Sequence, residues 1–320
     1  MNNESNNNSV GTVYDDVFRT MVTDSDELTV SFLNEMFNLG IKKGSKLVRY
    51  QNEVFLADES KRITDSNLSE QGKNIYYHVE CESTDGDTSI LFRIFEYDSA
   101  MALRRATYED EGFVIKYPMT GVLYLRDSGK VSDSLKMIIE SPDGKNRMTI
   151  EVAVMKVTDY DLMSIFEKEL YFLLPFYIFN YERELAKGID EKTDDEIIEC
   201  FQMIKEKLDA TTKEETIDAF TRQLIVRMIN KVVSAVARKH IKVTKGVDEI
   251  MGGKVLDYPE KHILNRGREE GREEALEAGV KAVVELCKSY GGTSVDAIEQ
   301  IVASMGLSQA EADRLVSKYW

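Results

Sequence analysis

Cysteine is scarce in this sequence. Its three residues, Cys81, Cys200 and Cys287, are odd in number and widely scattered. That excludes a disulfide framework and a cysteine-based zinc site, and points to a reducing cytoplasm. Long apolar runs are lacking too. The longest, "LYFLLPFYIFNY", carries Pro175 and falls short of the roughly 20 residues a membrane span needs. It reads as a buried helix, and no membrane association is expected. The opening "MNNESNNNSVG" has no apolar core of the kind a secretory signal needs; it predicts a polar tail without fixed structure over residues 1–11. Positive charge is in deficit, with 41 Lys and Arg against 57 Asp and Glu and a net charge of −16. This excludes a uniformly basic nucleic-acid coat but leaves room for a local basic surface.

What is present is an ordinary globular composition, 42% hydrophobic and 31% charged over 320 residues, enough for about two domains. "VYDDVFRTMVTDSDELTVSFLNEMFNLG" has helical periodicity with a break near "TDSDE". From about residue 50 to 157 short β-rich runs follow: "KRITDSNL", "NIYYHVECES", "GVLYLRD", "LKMIIESPDG" and "RMTIEVAVMKV". One helical stretch, "SILFRIFEYDSAMALRRA", interrupts them, which predicts a mixed α/β core. Beyond "DYDLMSIF" the chain reads as helix to its end, and no fixed-period repeat is visible.

Within "YYHVECES" alternate residues of a strand share a face. Tyr76, His78, Glu80 and Glu82 therefore point one way, and Tyr77, Val79, Cys81 and Ser83 the other. A solvated strand face accounts for the first set, and so does a metal site. The hairpin turn expected in "SEQGK" bears on the choice. If it centres near Glu70 to Gly72, Asp65 falls opposite a residue close to His78. Glu80 is then a diagonal neighbour at about 7–8 Å, whereas a one-residue slip would turn Asp65 to the wrong face. In that register Asp65, Glu80 and Glu82 cluster, and such like charges call for a cation. Oxygen-only ligands suit Mg²⁺ or Mn²⁺. His78 is expected to hydrogen-bond beside them rather than ligate.

An Asp, fourteen intervening residues and then Glu-x-Glu on a strand resembles the PD-(D/E)XK nuclease signature. With "YDDVFR", "RIFEYDSAMAL", "GVLYLR", "LPFYIFNYE" and "RGREEGREEA", the ordered set resembles the bacterial PD-(D/E)XK nuclease family transposases, related to the recombination-promoting nucleases. The resemblance covers most of the chain. It implies a restriction-endonuclease-like α/β core, a mixed β-sheet flanked by helices, with a largely α-helical C-terminal region. It also implies Mg²⁺- or Mn²⁺-dependent hydrolysis of DNA phosphodiester bonds. Asp65 and Glu80 match the acidic metal-binding pair. Glu82 holds the third motif position, where the superfamily commonly has Lys and this group prefers Gln. It cannot supply the charge of a Lys, and a third carboxylate would make the site lean more on bound metal. Arg93 is a candidate phosphate contact, or else an ion-pair partner of Glu96 or Asp98. Asp16 is a candidate accessory acid, or else a charge complementing the helix macrodipole.

From Ala219 to Val247 no acidic residue occurs. On a helix, Ile225, Ile229, Val232 and Val236 form one stripe, with Arg227, Lys231, Arg238, Lys242 and Lys245 roughly opposite. This basic face is a candidate for DNA-backbone contact, with a solvated face as the plainer alternative. Further on, Gly267, Gly271, Ala275 and Gly279 recur every four residues. They suit either close helix packing in a homo-oligomer or a solvated charged helix. The expected division is a nuclease-like core over 12–185, a helical region with a basic face over 186–262, and C-terminal helices over 263–320. Two functional readings stand: a metal-dependent DNA endonuclease, and a catalytically weak or inactive scaffold that binds DNA or oligomerises.

Overall fold

The computed structural model describes residues 12–50, 53–55, 61–84, 89–110, 112–127, 129–252, 279–305 and 309–320. By contacts the chain divides into two compact units, Met1–Gly253 and Lys254–Trp320. The helices beyond residue 186 thus belong, up to residue 253, to the unit that holds the sheet.

Helix α1 (Val13–Asp24) starts at a capping box, in which Thr12 and Asp15 each cap the other's backbone N–H. Ser25 ends it and caps α2 (Asp26–Phe37), which accounts for the break in periodicity. Strands β1 (Leu47–Arg49), β2 (Glu53–Phe55), β3 (Lys61–Ile63), β4 (Leu68–Glu70) and β5 (Tyr76–Glu82) follow, then helix α3 (Ile90–Leu103). Next come β6 (Thr107–Glu109), β7 (Gly112–Val114), β8 (Met119–Tyr124), β9 (Ser134–Glu140) and β10 (Arg147–Lys156). The main sheet is mixed, six strands in the order β1-β4-β5-β8-β10-β9. Its central pairs β5–β8 and β8–β10 are parallel and the others antiparallel. β2 with β3, and β6 with β7, form separate two-stranded pieces. The run "KRITDSNL", expected as one strand, is therefore two strands in different sheets.

Both sheet faces are covered. Tyr77, Val79 and Cys81 of β5 join Phe18, Met21, Phe32 and Leu33 of the first two helices in the larger core. Gly121 of β8 lies under α2: a Cβ there would collide with the Met36 side chain, so the missing side chain lets the helix lie close. On the other face Ile90 and Ile94 of α3 pack on Val122, Tyr124 and Val152.

Short helix α4 (Leu162–Glu167) leads into the aromatic run, which forms a 3₁₀ helix over Tyr171–Tyr181 instead of the expected α-helix. Pro175 inside it has no N–H to donate and would clash with the carbonyl four residues back in α geometry. Tyr171 to Phe179 are buried. Around this run lie α5 (Glu182–Ala186), α6 (Glu191–Lys213) and α7 (Ala219–Val236), and α8 (Ile241–Met251) packs on α6 and α7. The second unit contains a helix over residues 279–289 (α9), α10 (Ser294–Met305) and α11 (Gln309–Tyr319). Val280, Val284, Ala297, Ile301, Ala312 and Val316 form its own core. Among the described residues no helix is long and apolar enough to cross a membrane.

Candidate active site

β5 divides its side chains as its alternation predicts, yet the polar face is not solvated. His78 is wholly buried, and Glu80 is 4% and Asp65 7% exposed. Burial on that scale removes the solvated-face reading for these residues, because carboxylates are rarely buried without partners.

Asp65 lies in the link between β3 and β4. The β4–β5 ladder pairs Leu68 with Tyr77 and Ser69 with Tyr76, a register that brings Asp65 level with Glu80. Side chains extend the ladder where the strand itself stops. Ser66 Oγ donates to the carbonyl of Val79 at 2.9 Å and accepts from its N–H at 2.8 Å. Asp65 Oδ2 accepts from Cys81 N–H at 3.0 Å, and Asp65 N–H donates to Glu80 Oε1 at 3.2 Å. Asp65 thus lies further along β5 than expected, level with Glu80 rather than with a residue close to His78. The connecting loop runs over 71–75, later than expected, with Gly72 at φ +80° where a side chain would be strained. Asp65 therefore meets Glu80 directly rather than as a diagonal neighbour.

Two charged partners found only in the fold hold these acids. Arg19 of α1 donates through Nε (3.1 Å) and Nη2 (2.9 Å) to Asp65 Oδ1. On the other side His78 Nε2 lies 2.9 Å from Glu80 Oε1, and His78 Nδ1 lies 2.7 Å from Asp98 Oδ1. Asp98 Oδ2 in turn accepts from Thr120 Oγ1 at 2.7 Å. Thr120 is the β8 residue in register with His78. Both ring nitrogens face carboxylate oxygens, so both donate, and the ring is an imidazolium. Burial opposes that charge, but Asp98 and Glu80 outweigh it and raise the His78 pKa to about 10. For Asp65, burial and then the Glu80 charge push the pKa up to about 7, against the opposing pull of Cys81 N–H and Arg19.

Glu82 does not join the pair. Its Oε1 accepts from Thr84 N–H (3.1 Å) and Oγ1 (2.7 Å), and its Oε2 from Arg93 Nη2 at 3.0 Å. The same Arg93 nitrogen lies 3.7 Å from Glu80 Oε2. Arg93 is therefore an ion-pair partner, but of Glu82 and Glu80 rather than of Glu96 or Asp98. Its Nε is buried and has no hydrogen-bond acceptor among the described residues. Asp16 points elsewhere: exposed, it pairs with Lys231 of α7. On the opposite face of β5, burial first and then the charges of Asp65 and Asp15 raise the Cys81 pKa.

The donor set suits a hard divalent ion in kind, since Asp65 and Glu80 offer only oxygen and Mg²⁺ commonly takes one or two carboxylates. It is smaller than expected. Among the described residues no group of three or more His, Cys, Asp or Glu is placed to hold a metal ion. The pair offers donors of the right kind; among the described residues the triad of carboxylates does not form.

The basic stretch is two helices joined by a turn at residues 237–240, not one continuous face. Arg227 lies 3.9 Å from Asp24, Lys231 pairs with Asp16, and Lys242 pairs with Asp195 at 2.7 Å. Arg238 and Lys245 are exposed with no ion pair among the described residues. Of the small-residue series, Gly267, Gly271 and Ala275 lie outside the described residues, and only Gly279, a residue of α9, lies within them.

No family model, curated protein or solved structure matches this chain. The chemistry therefore rests on the site's own geometry. Arg19 left no signal in the sequence beyond its place one turn after Asp15. Asp98 did leave one, because it interrupts the buried stripe of Ile90, Ile94, Tyr97 and Met101 on α3. A carboxylate on an apolar stripe calls for a buried partner.

Proposed function

We propose that the chain is a Mg²⁺- or Mn²⁺-dependent DNA endonuclease of the PD-(D/E)XK kind. The observation that carries this reading is the burial of Asp65 beside Glu80, where burial first and the Glu80 charge second raise the Asp65 pKa to about 7. A divalent cation opposes that rise. Asp65 and Glu80 would hold it, and when bound it supplies a Lewis acid and a water of lowered pKa. The chain's own groups do the rest. Arg19 anchors Asp65 Oδ1 and leaves the carboxylate a single orientation. Arg93, partly exposed and between Glu80 and Glu82, is the guanidinium assigned to meet the phosphate. Glu82 Oε2, once released from Arg93, would serve as the base for a proton from an attacking water. Association with transposition or recombination rests on the sequence resemblance alone.

A second reading has its own observation. Arg19, Arg93 and imidazolium His78 already neutralise the carboxylates, and Glu82 is engaged away from the pair. On that reading the chain is a weak or inactive scaffold. Supercoiled-plasmid nicking with purified protein separates the two, run in EDTA, Mg²⁺ and Mn²⁺. The first reading expects metal-dependent nicking that Asp65→Ala and Glu80→Ala each abolish. Nicking that survives both substitutions removes the assignment. DNA retention in a gel-shift assay without cleavage in any metal establishes the scaffold.

A further inference from the structure

Glu80 does not stand alone on its strand. A continuous line of hydrogen bonds runs from Thr120 Oγ1 to Asp98 Oδ2, from Asp98 Oδ1 to His78 Nδ1, and from His78 Nε2 to Glu80 Oε1, at 2.7, 2.7 and 2.9 Å. It ends at the Asp65 backbone, which donates to the same Glu80 oxygen. The line crosses β8, α3 and β5, and all its side chains are buried. It leaves Oε1 of Glu80 occupied on one side and Oε2 turned towards Arg93. Such a buried set is rigid only when every member is satisfied, and here each is.

We propose that Asp98 and His78 are positioning residues that hold the Glu80 carboxylate in the orientation needed to ligate a divalent cation. This inference rests on the proposed metal-dependent reading. Asp98 touches neither the cation nor the substrate; it acts by fixing the ring of His78. With both ring nitrogens donating, rotation of the imidazole would break two bonds to carboxylates at once. Partners one step behind a ligand typically alter metal affinity by about 10–100-fold when removed.

Mn²⁺ titration calorimetry on the full chain tests the proposal, alongside plasmid nicking at rising Mn²⁺. Asp98→Asn keeps the side-chain shape but withdraws the charge that faces His78. The expected result is Mn²⁺ affinity weakened by about 10–100-fold. The half-saturating Mn²⁺ for nicking should rise with it, while the maximal rate stays near that of the wild type. A purely structural role would lower the melting temperature and leave Mn²⁺ affinity unchanged, and that outcome overturns the proposal. If near-ultraviolet circular dichroism shows that Asp98→Asn does not fold, Thr120→Val replaces it, removing the hydroxyl that holds Asp98. Weaker Mn²⁺ binding by a folded Thr120→Val protein supports the relay, and unchanged binding overturns it. Wild-type protein that binds no Mn²⁺ overturns the metal-dependent reading and the relay together. Tight wild-type binding that is equally tight in Asp98→Asn overturns the relay alone.

Discussion

Removing the charge on His78 should change how stability depends on pH. The ring is fully buried between Asp98 and Glu80, and its pKa is raised from 6.5 to about 10. A base whose folded pKa is raised contributes stability that is fully present below the unfolded value. That stability is lost as pH rises through the folded one. For His78 the loss runs from about pH 6.5 to about pH 10. At about 1.4 kcal/mol per pH unit, the span corresponds to roughly 5 kcal/mol as an upper bound for metal-free protein. Asp65 adds loss at lower pH. Its folded pKa of about 7 lies above the unfolded value of 3.8, so the folded state keeps a proton that the unfolded state has released. Stability therefore falls between those values too. Urea unfolding in EDTA at pH 6, 7, 8 and 9 measures the effect. The single tryptophan, Trp320, belongs to the other compact unit. Near-ultraviolet circular dichroism of the tyrosines is therefore the probe for the unit with the site. Wild-type stability should decline steadily above pH 7, whereas His78→Gln should start lower and stay nearly flat. A wild-type profile that is flat from pH 7 to 9, or equal slopes in the two proteins, refutes the imidazolium assignment.

Glu82→Gln removes the proposed base and should slow Mn²⁺-dependent nicking; faster nicking would refute that role and mark Glu82 as a brake that ties up Arg93. Arg238→Ala with Lys245→Ala should weaken DNA binding in a gel-shift titration and flatten its salt dependence, since each lost phosphate contact lowers that slope by about one. Lys231→Ala should change DNA affinity little, because that cation already faces Asp16. A double-mutant cycle on the Lys231–Asp16 pair should give at most about 1 kcal/mol, as expected of exposed ion pairs.

The local order of the chain was legible where periodicity is strong. The break at Ser25, the alternation of β5, the helical span of α3 and the β8, β9 and β10 runs all follow from spacing that a single element can satisfy by itself. The 3₁₀ form of the aromatic run was not, although Pro175 carried the signal. The split of "KRITDSNL" into two sheets was hidden as well, because strand partners are chosen by distant segments.

The site divides in the same way. Sequence alone determined that Glu80 shares a face with His78, since alternation is a property of the strand, and it marked Asp65 as the acid upstream. Only the tertiary structure decided that Asp65 meets Glu80 directly, because the loop at 71–75 sets the register. Only the fold decided where the counter-charges come from. Arg19 arrives from α1, Asp98 from α3 and Thr120 from β8, while Asp16 is drawn away to Lys231. Charge partners depend on distance in space, and residues 46 or 215 positions apart carry no local pattern that announces their pairing. Residue order placed Glu80 and Glu82 on the strand; packing determined which partners each carboxylate meets.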